Sequence, residues 1–273
     1  MEEKNELDAL REKLLYKQKQ GYDIIDVDER IKLEEYATAY KAYLNAARTE
    51  REAVKEAIRM AEDAGFVPYT FGMELQPGAK VYVNNRGKAL MLAVLGEQPL
   101  DHGCVIAGAH VDSPRLDLKQ TPMYEDSELA YFKTHYYGGI KKYQWVAIPL
   151  ELHGTIALKD GSTIDVAIGR EPDEPQFVIT DLLPHLGKDQ LRKTMEEGIT
   201  GEALNIVIGS MPYAGEGGDR VKLAVLSLLH DEYGWSDSVS NLMNTASRRR
   251  TSCRRSLPPC RRSRRATSAL TAA

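Results

Sequence analysis

The sequence lacks the features that mark several large classes of protein. Its 273 residues include three Cys, too few for the disulfide framework of a small secreted domain. No stretch approaches the roughly 20 apolar residues that a membrane-spanning helix needs. The first residues, MEEKNE, lack the basic-then-apolar order of a signal peptide. These absences predict a protein of the reducing cytoplasm that does not bind membranes.

Several catalytic and nucleotide-binding patterns are also missing. There is no Gly-x-Ser-x-Gly nucleophile motif and no Cys–His nucleophile pattern. The pair Gly138-Gly139 lacks the strand–GxGxxG–helix context of a dinucleotide site. Cys253 and Cys260 match no strong zinc-binding spacing, and no His accompanies them. The sequence therefore gives no support for a serine or cysteine hydrolase, a dinucleotide site or a cysteine-zinc site.

The last 38 residues differ sharply in composition from the rest. Residues 236–273 contain nine Arg, one Asp and no Lys, a net charge of +8, so residues 1–235 carry −12. This change marks a composition boundary. One interpretation is a basic arm for nucleic acid, but the tail has no aromatic residue for base stacking. The interpretation that we favour is a disordered tail produced by a shifted reading frame.

Residues 1–115 have the pattern of the first part of a three-layer α/β domain. Residues 5–19 are helix-prone, and apolar residues recur at helical spacing from Asp28 to Gly65. Thr49 with Glu52 predicts a capping box where two helices meet, and both helices are expected to pack on a sheet. A hairpin over residues 80–95 and a buried strand over residues 104–110 are predicted next.

Residues 116–235 have a different pattern. Short β runs separated by Gly-rich breaks predict an inserted, mainly antiparallel β domain that ends in a helix over Val221–Tyr233. The predicted runs are Leu129–Tyr136, Trp145–Leu158, Thr163–Ile168 and Leu204–Ile208. Within this domain, His153 is expected to be a structural residue of a β-hairpin.

The candidate site lies where the strand over residues 104–110 ends. His110 follows this strand, and Asp112 comes two residues later. Ligand sites of open α/β sheets lie beyond the carboxyl ends of strands. His is a common metal ligand whose second ring nitrogen needs a partner to fix its tautomer. His110 as metal ligand and Asp112 as its orienting partner fit that requirement, although a His-x-Asp pair alone is a weak signal.

Longer strings make the pattern specific. From about Glu29 to Trp235 the chain resembles the aspartyl aminopeptidase family, cytosolic exopeptidases with two zinc ions. The strings that carry the resemblance are TEREA at 49–53, HVDSPRLDLK at 110–119, YYGGIKKYQW at 136–145, IPLELHG at 148–154 and DRVK at 219–222.

The resemblance implies a zinc-dependent aminopeptidase that removes N-terminal residues from peptides. It implies that His110 is the first zinc ligand. The family's other ligands and its general base lie downstream of the position of Trp235, and no such set follows here. We therefore expect this truncated chain to be inactive by itself. We also expect it to fold poorly alone, because the sheet lacks its later strands.

The resemblance has two further implications. Residues 1–115 correspond to the start of the family's catalytic domain, and the β insert of residues 116–235 would form the interface of a homo-oligomer. His185 matches a segment whose histidines reach across the interface toward the neighbour's substrate, although Asp189 stands where a further His is expected. Two alternatives remain: a non-catalytic oligomerisation fragment, and a nucleic-acid-binding protein that uses the Arg-rich tail.

Overall fold

The computed structural model of the chain describes residues 6–157, 161–171, 173–233 and 242–248. These residues belong to two compact units, one within Met1–Ala47 and the other within Arg48–Ala273. The helices are α1 Glu6–Leu14, α2 Val27–Ala46, α3 Glu50–Asp63 and α4 Arg220–Tyr233. The strands are β1 Val67–Pro68, β2 Lys80–Asn85, β3 Ala89–Val94, β4 Arg115–Asp126, β5 Leu129–Tyr137, β6 Leu150–Ala157, β7 Thr163–Ile168, β8 Ile206–Gly209 and β9 Leu242–Arg248.

The first unit contains α1 and α2. Helix α2 begins with a capping box in which Asp26 accepts from the Glu29 backbone N–H at 2.8 Å and Glu29 accepts from the Asp26 N–H at 3.3 Å. No residue of α2 is buried. Among its apolar residues, Tyr36 and Tyr40 are exposed. The packing of this helix on a sheet stays a prediction.

Helix α3 opens the second unit and packs on β2 and β3. The predicted Thr49–Glu52 capping box is confirmed, with each residue accepting from the backbone N–H of the other. The buried side chains of α3 are Ala53, Val54 and Ala61, which recur at helical spacing. The helix ends at Asp63 with Ala64 as its C-cap, and Gly65 follows with a φ of +85°, which suits glycine far better than a residue with a Cβ.

The hairpin predicted over residues 80–95 is confirmed as β2 and β3, paired antiparallel. Its turn places Arg86 and Gly87 at positive φ, and the Asn84 side chain accepts from the Gly87 N–H at 2.8 Å. A short parallel pairing with β1 gives a three-stranded sheet in the order β1-β2-β3.

The buried strand predicted over residues 104–110 is wrong in this structure. The segment forms no strand, and Val105 and Ile106 are 101% and 84% exposed. The apolar strand β3 is mostly exposed as well, with Met91 at 69%. The physical reason is that a strand needs neighbours: within the described ranges, β2 covers one edge of β3 and nothing pairs with residues 104–109.

The mainly antiparallel β domain is confirmed as a six-stranded sheet in the order β7-β6-β9-β4-β5-β8, with every pairing antiparallel. The sequence prediction did not include β4 or β9. Strand β9 lies between β4 and β6, where Ala246 pairs with Leu116 on one side and Leu152 on the other. Residues 242–248 thus differ from the disorder predicted after residue 235. The rest of the predicted tail lies outside the described residues.

The main core lies between this sheet, α4 and the loops that cross the sheet. Its buried residues are Leu116, Met123, Phe132, Trp145, Leu150, Leu152, Ile179, Ile199, Leu204 and Ile206. Helix α4, predicted from its apolar spacing, packs on β4, β5 and β8. Burying these side chains stabilises the domain by about 25 cal/mol per Å² of apolar surface removed from water.

The domain boundaries at 115 and 235 stay predictions. Both fall within the second unit, where α3 is joined to the larger sheet by the contacts described below. Among the described residues, no helix combines the length and the apolar character needed to cross a membrane.

Candidate metal-ligand site around His110

His110 lies in the extended segment just before β4, and its side chain is 81% exposed. Its Nδ1 is 2.9 Å from Asp112 Oδ1 and 3.0 Å from the Asp112 carbonyl oxygen. Both neighbours are acceptors, so Nδ1 carries the proton and donates. In the neutral ring the lone pair then lies on Nε2, which faces solvent. This is the tautomer that a metal-binding His needs, with Asp112 as its orienting partner.

Asp112 is itself held by Tyr137, the last residue of β5. The Tyr137 hydroxyl donates to the carboxylate, which lowers the pKa of Asp112 and raises the pKa of Tyr137. The Arg115 guanidinium lies 4.0 Å from the centre of the Tyr137 ring. The structure thus links His110 to β5 through a chain of polar contacts.

Arg115 anchors this arrangement to α3. It is 8% exposed and forms ion pairs with Asp117 at 2.7 Å and with Glu50 at 3.0 Å. Glu50 is the first residue of α3, and Arg115 is the first residue of β4. Two carboxylates around one buried guanidinium therefore fix the start of β4, two residues after Ser113. Sequence reasoning had assigned no role to Tyr137 or Glu50.

The described residues do not form a zinc site by themselves. His110 offers one ligand atom, whereas a structural zinc takes four protein ligands and a catalytic zinc takes three. No group of three or more His, Cys, Asp or Glu side chains within the described residues is placed to hold a metal ion. His110 and Asp112 come together as predicted, but further ligands are required to complete a site.

His185, the candidate substrate contact, lies elsewhere. It is exposed, in a run of turns between β7 and β8. In the part of the chain that the structure describes, it shares no hydrogen bond or ion pair with His110 or Asp112. The structure does not bring His185 into the arrangement around His110.

A buried charged cluster is the main feature that sequence reasoning missed. His153 on β6 is fully buried, as a structural residue of the β6–β7 hairpin should be. Its Nδ1 lies 2.9 Å from Glu52 Oε1 on α3, and its Nε2 lies 2.8 Å from Glu151 Oε2. Arg170 pairs with Glu52 at 3.0 Å, and Arg48 pairs with Glu151 at 3.4 Å. We call these five residues the His153 cluster.

The geometry of this cluster requires an extra proton. A neutral imidazole has one N–H and one lone pair. The ring nitrogen without a proton would therefore place its lone pair against a lone pair of the carboxylate oxygen, which is repulsive. An imidazolium donates from both nitrogens. Burial alone would lower the pKa of His153, but its hydrogen bonds to Glu151 and Glu52 outweigh burial and raise it. These contacts favour the charged form of His153, which joins α3 to β6.

We expect stability to depend on pH through this cluster. The raised His153 pKa gives stabilisation that is complete below the ordinary value of 6.5 and is lost as pH rises through the folded-state pKa. Burial would raise the pKa of Glu52, but its contacts to His153 and Arg170 lower it. Its contribution is complete above the ordinary 4.5 and is lost as pH falls through the folded-state pKa.

The cluster therefore stabilises the fold most between pH 4.5 and 6.5. Urea unfolding of the wild type and of His153→Gln measures this dependence. The gap in stability between the two proteins should shrink as pH rises above 6.5. A gap that stays constant up to pH of about 10 would show that His153 is not charged in the fold.

Comparison with known proteins identifies the family. A sequence model of the peptidase M18 family, described as aminopeptidase I zinc metalloprotease, matches residues 43–246. The chain belongs to this family. The resemblance drawn from the strings around His110 is confirmed, and the match extends beyond the boundary predicted at Trp235. The family match and strand β9 place the end of the family-like sequence at about residue 246, beyond the predicted Trp235.

Relatives in the M18 family include two bacterial proteins named probable M18 family aminopeptidase 1. The Clostridium acetobutylicum protein is 44% identical over 229 residues, which is 82% of this chain and 49% of that protein. The Thermotoga maritima protein is 43% identical over 202 residues, which is 74% of this chain and 44% of that protein. The chain thus spans about half the length of these relatives.

Solved structures agree with this result. The M18 aminopeptidase of Thermotoga maritima superposes with a TM-score of 0.78 and 38% identity, over 85% of this chain and 51% of that one. Aminopeptidase I of Clostridium acetobutylicum gives a TM-score of 0.74 and 40% identity, over 85% of this chain and 52% of that one. The fold is therefore that of part of an M18 peptidase, an α/β architecture with a β-rich portion.

Proposed function

We propose that this chain supplies part of the active site of a zinc-dependent aminopeptidase that removes N-terminal residues from peptides. The observation that carries the proposal is the His110–Asp112 pair, within a sequence that matches the zinc metalloprotease family from residue 43 to 246. His110 is proposed as a metal ligand through Nε2. Asp112 is proposed as the residue that fixes its tautomer, and Tyr137 holds Asp112 in place.

Peptide hydrolysis requires a complete zinc site. Zinc in such a site acts as a Lewis acid and activates water, but the described residues provide a single ligand. We therefore propose that a polypeptide of these 273 residues binds zinc weakly and is inactive alone. The number of zinc ions in a complete site, two by resemblance, is part of the proposal. Location in the reducing cytoplasm is also proposed, since the 273 residues include three Cys.

Assembly into a homo-oligomer through the β-rich sheet is also proposed. Strands β7 and β8 are the outer strands of the six-stranded sheet, and Val207 of β8 is bridged to Val178 on its outer side. Strand β7 is therefore the edge proposed for pairing with a second copy. The exposed position of His185, outside the arrangement around His110, is compatible with a substrate contact made to a second copy. Nucleic-acid binding by the Arg-rich tail has no support among the described residues.

Zinc titration calorimetry tests the proposal that the 273-residue chain alone binds zinc weakly. We expect no stoichiometric site with submicromolar affinity, because one exposed imidazole competes poorly with water for the metal. His110→Ala should change the heat of binding very little at micromolar zinc. A stoichiometric submicromolar site that disappears in His110→Ala, but persists in the exposed-histidine control His102→Ala, would contradict the proposal.

A further inference from the structure

The first turn of α3 brings two carboxylates to two different strands of the larger sheet. Glu50, the first residue of the helix, pairs with Arg115 at the start of β4, at 3.0 Å. Glu52, two residues later, pairs with His153 on β6, at 2.9 Å. Because both carboxylates stand on one helical turn of about 3.6 residues, the two contacts cannot shift independently of each other.

Glu52 uses both of its carboxylate oxygens to hold this turn. Its Oε2 accepts from the Thr49 backbone N–H at 3.0 Å, which closes the capping box. Its Oε1 lies 2.9 Å from His153 Nδ1 and accepts from Arg170 at 3.0 Å. One side chain therefore both starts the helix and ties its first turn to the buried His153 cluster. This tie fixes the place from which Glu50 reaches β4.

A chain of contacts leads from Glu50 to the candidate metal ligand. Arg115 pairs with Glu50, and its guanidinium lies 4.0 Å from the centre of the Tyr137 ring. The Tyr137 hydroxyl donates to Asp112, whose Oδ1 accepts from His110 Nδ1 at 2.9 Å. A neutral imidazole can take either tautomer, and that of an exposed His is set by the contacts behind it.

Arg115 is the link in this chain that depends most on Glu50. It is 8% exposed, and a buried guanidinium is costly unless carboxylates compensate it. When the charge of Glu50 is removed, Asp117 remains as its carboxylate partner at 2.7 Å. We expect the guanidinium then to move toward water and away from the Tyr137 ring. The ring loses its support, and its hydroxyl no longer holds Asp112 in one position.

We propose that the first turn of α3 is a positioning element for the His110–Asp112 pair, with Glu50 as its positioning residue. The His153 cluster holds the turn, and the turn acts on the pair through Arg115. The proposal rests on the function proposed above, because it explains how His110 is kept ready to bind a metal through Nε2. Its own claim concerns the tautomer of His110 in the absence of metal.

The test is NMR of the 273-residue chain labelled with 15N-histidine, with a chelator present and at a pH of about 8.5, above the ordinary histidine value. Long-range 1H–15N spectra distinguish protonated from unprotonated ring nitrogens, and His110→Ala identifies the His110 signals. We expect the Nδ1–H tautomer to predominate at His110 in the unsubstituted chain. Glu50→Gln should lower the ratio of Nδ1–H to Nε2–H by about two- to fivefold, the effect typical of an exposed ion pair.

The matched control is Glu56→Gln, which removes another carboxylate of α3 that pairs with an arginine, Arg59, at 2.6 Å. It should leave the tautomer ratio of His110 unchanged, because Glu56 is outside the chain of contacts. His153→Gln loosens the turn from its other side and should lower the ratio in the same direction as Glu50→Gln. Both expectations follow from a turn that acts as one unit.

Two further variants keep the test decisive if Glu50→Gln or His153→Gln fails to fold. Glu50→Asp keeps a carboxylate at the helix start but shortens its reach to Arg115, so it should lower the ratio by a smaller factor. Tyr137→Phe removes a single hydroxyl and should lower the ratio as Glu50→Gln does. The double variant of Tyr137→Phe with Glu50→Gln should lower it no further, because both act through the same hydrogen bond.

Four results would overturn the proposal. They are an unsubstituted chain in which Nδ1–H does not predominate at His110, an unchanged ratio in the Glu50 variants, an equal decrease in Glu56→Gln, and effects of Glu50→Gln and Tyr137→Phe that add in the double variant. The last result would mean that Glu50 acts on His110 by another route.

These outcomes are separable from those of the proposed function. Peptide hydrolysis is measured in a polypeptide that joins residues 1–246 to the part of the Clostridium acetobutylicum relative that this chain does not match. If Glu50→Gln lowers the ratio but the joined polypeptide hydrolyses peptides equally well with His110→Ala, positioning stands and the ligand assignment is rejected. If His110→Ala abolishes hydrolysis but Glu50→Gln leaves the ratio unchanged, positioning is rejected and the function stands.

Discussion

Replacing His153 by Ala is expected to lower the free energy of unfolding by about 3–5 kcal/mol, the usual cost of removing one partner from a buried ion pair. The side chain is fully buried and lies between two carboxylates at hydrogen-bonding distance. Its removal leaves Glu52 and Glu151 facing each other, with Arg170 and Arg48 as their remaining cationic partners. The lost contact with Glu52 also joins α3 to β6.

Urea unfolding at pH 6, followed by circular dichroism, measures this change. The matched control is His135→Ala on β5, an exposed strand histidine outside the cluster, which should change stability by less than about 0.5 kcal/mol. Replacing His153 and Glu151 together with apolar residues of similar size should cost less than His153→Ala, because it leaves fewer uncompensated charges. Equal effects of His153→Ala and His135→Ala would contradict the charged cluster.

Local signals in the sequence predicted much of the fold correctly. The Thr49–Glu52 capping box, the Asn85-Arg86-Gly87 turn and the apolar spacing of α4 each depend on residues a few positions apart. Strand β7 was predicted with its observed bounds, Thr163–Ile168, because alternating residues and flanking turn residues define it. Such features are readable because the chain itself brings the interacting groups together.

Other features depend on contacts across long stretches of sequence. Strand β4 was not predicted, although Leu116 and Leu118 alternate with charged residues. The ion pair of Arg115 with Glu50 joins residues 65 positions apart, so no local pattern could indicate it. The partners Glu52 and Arg48 lie about 100 positions from the residues they contact on β6, so no local pattern could indicate the His153 cluster.

The candidate site was predictable only in part. The pairing of His110 with Asp112 follows from their spacing and is present in the structure. Tyr137 was part of a recognised string, yet its hydrogen bond to Asp112 depends on how β4 and β5 pair. The strand expected before His110 was wrong for a physical reason, since an apolar run becomes a strand only beside a partner strand.

The second large effect concerns catalysis by a joined polypeptide. Residues 1–246 of this chain, fused to the unmatched half of the Clostridium acetobutylicum relative, should hydrolyse aminoacyl-p-nitroanilides in the presence of zinc, manganese or cobalt. The 273-residue chain alone should not, because its described residues supply one candidate metal ligand, too few to hold zinc and activate water. His110→Ala should abolish the activity of the joined polypeptide, since it removes the proposed metal ligand.

The most direct test of the account is the ratio of hydrolysis rates between His110→Ala and His102→Ala in this joined polypeptide. Both are exposed histidines eight positions apart, and His102 lies in a short 3₁₀ turn away from the Asp112 pair. We predict that His102→Ala keeps a rate close to that of the unsubstituted protein, whereas His110→Ala falls to background. Equal rates in the two variants, or hydrolysis by the 273-residue chain alone that His110→Ala removes, would contradict the account.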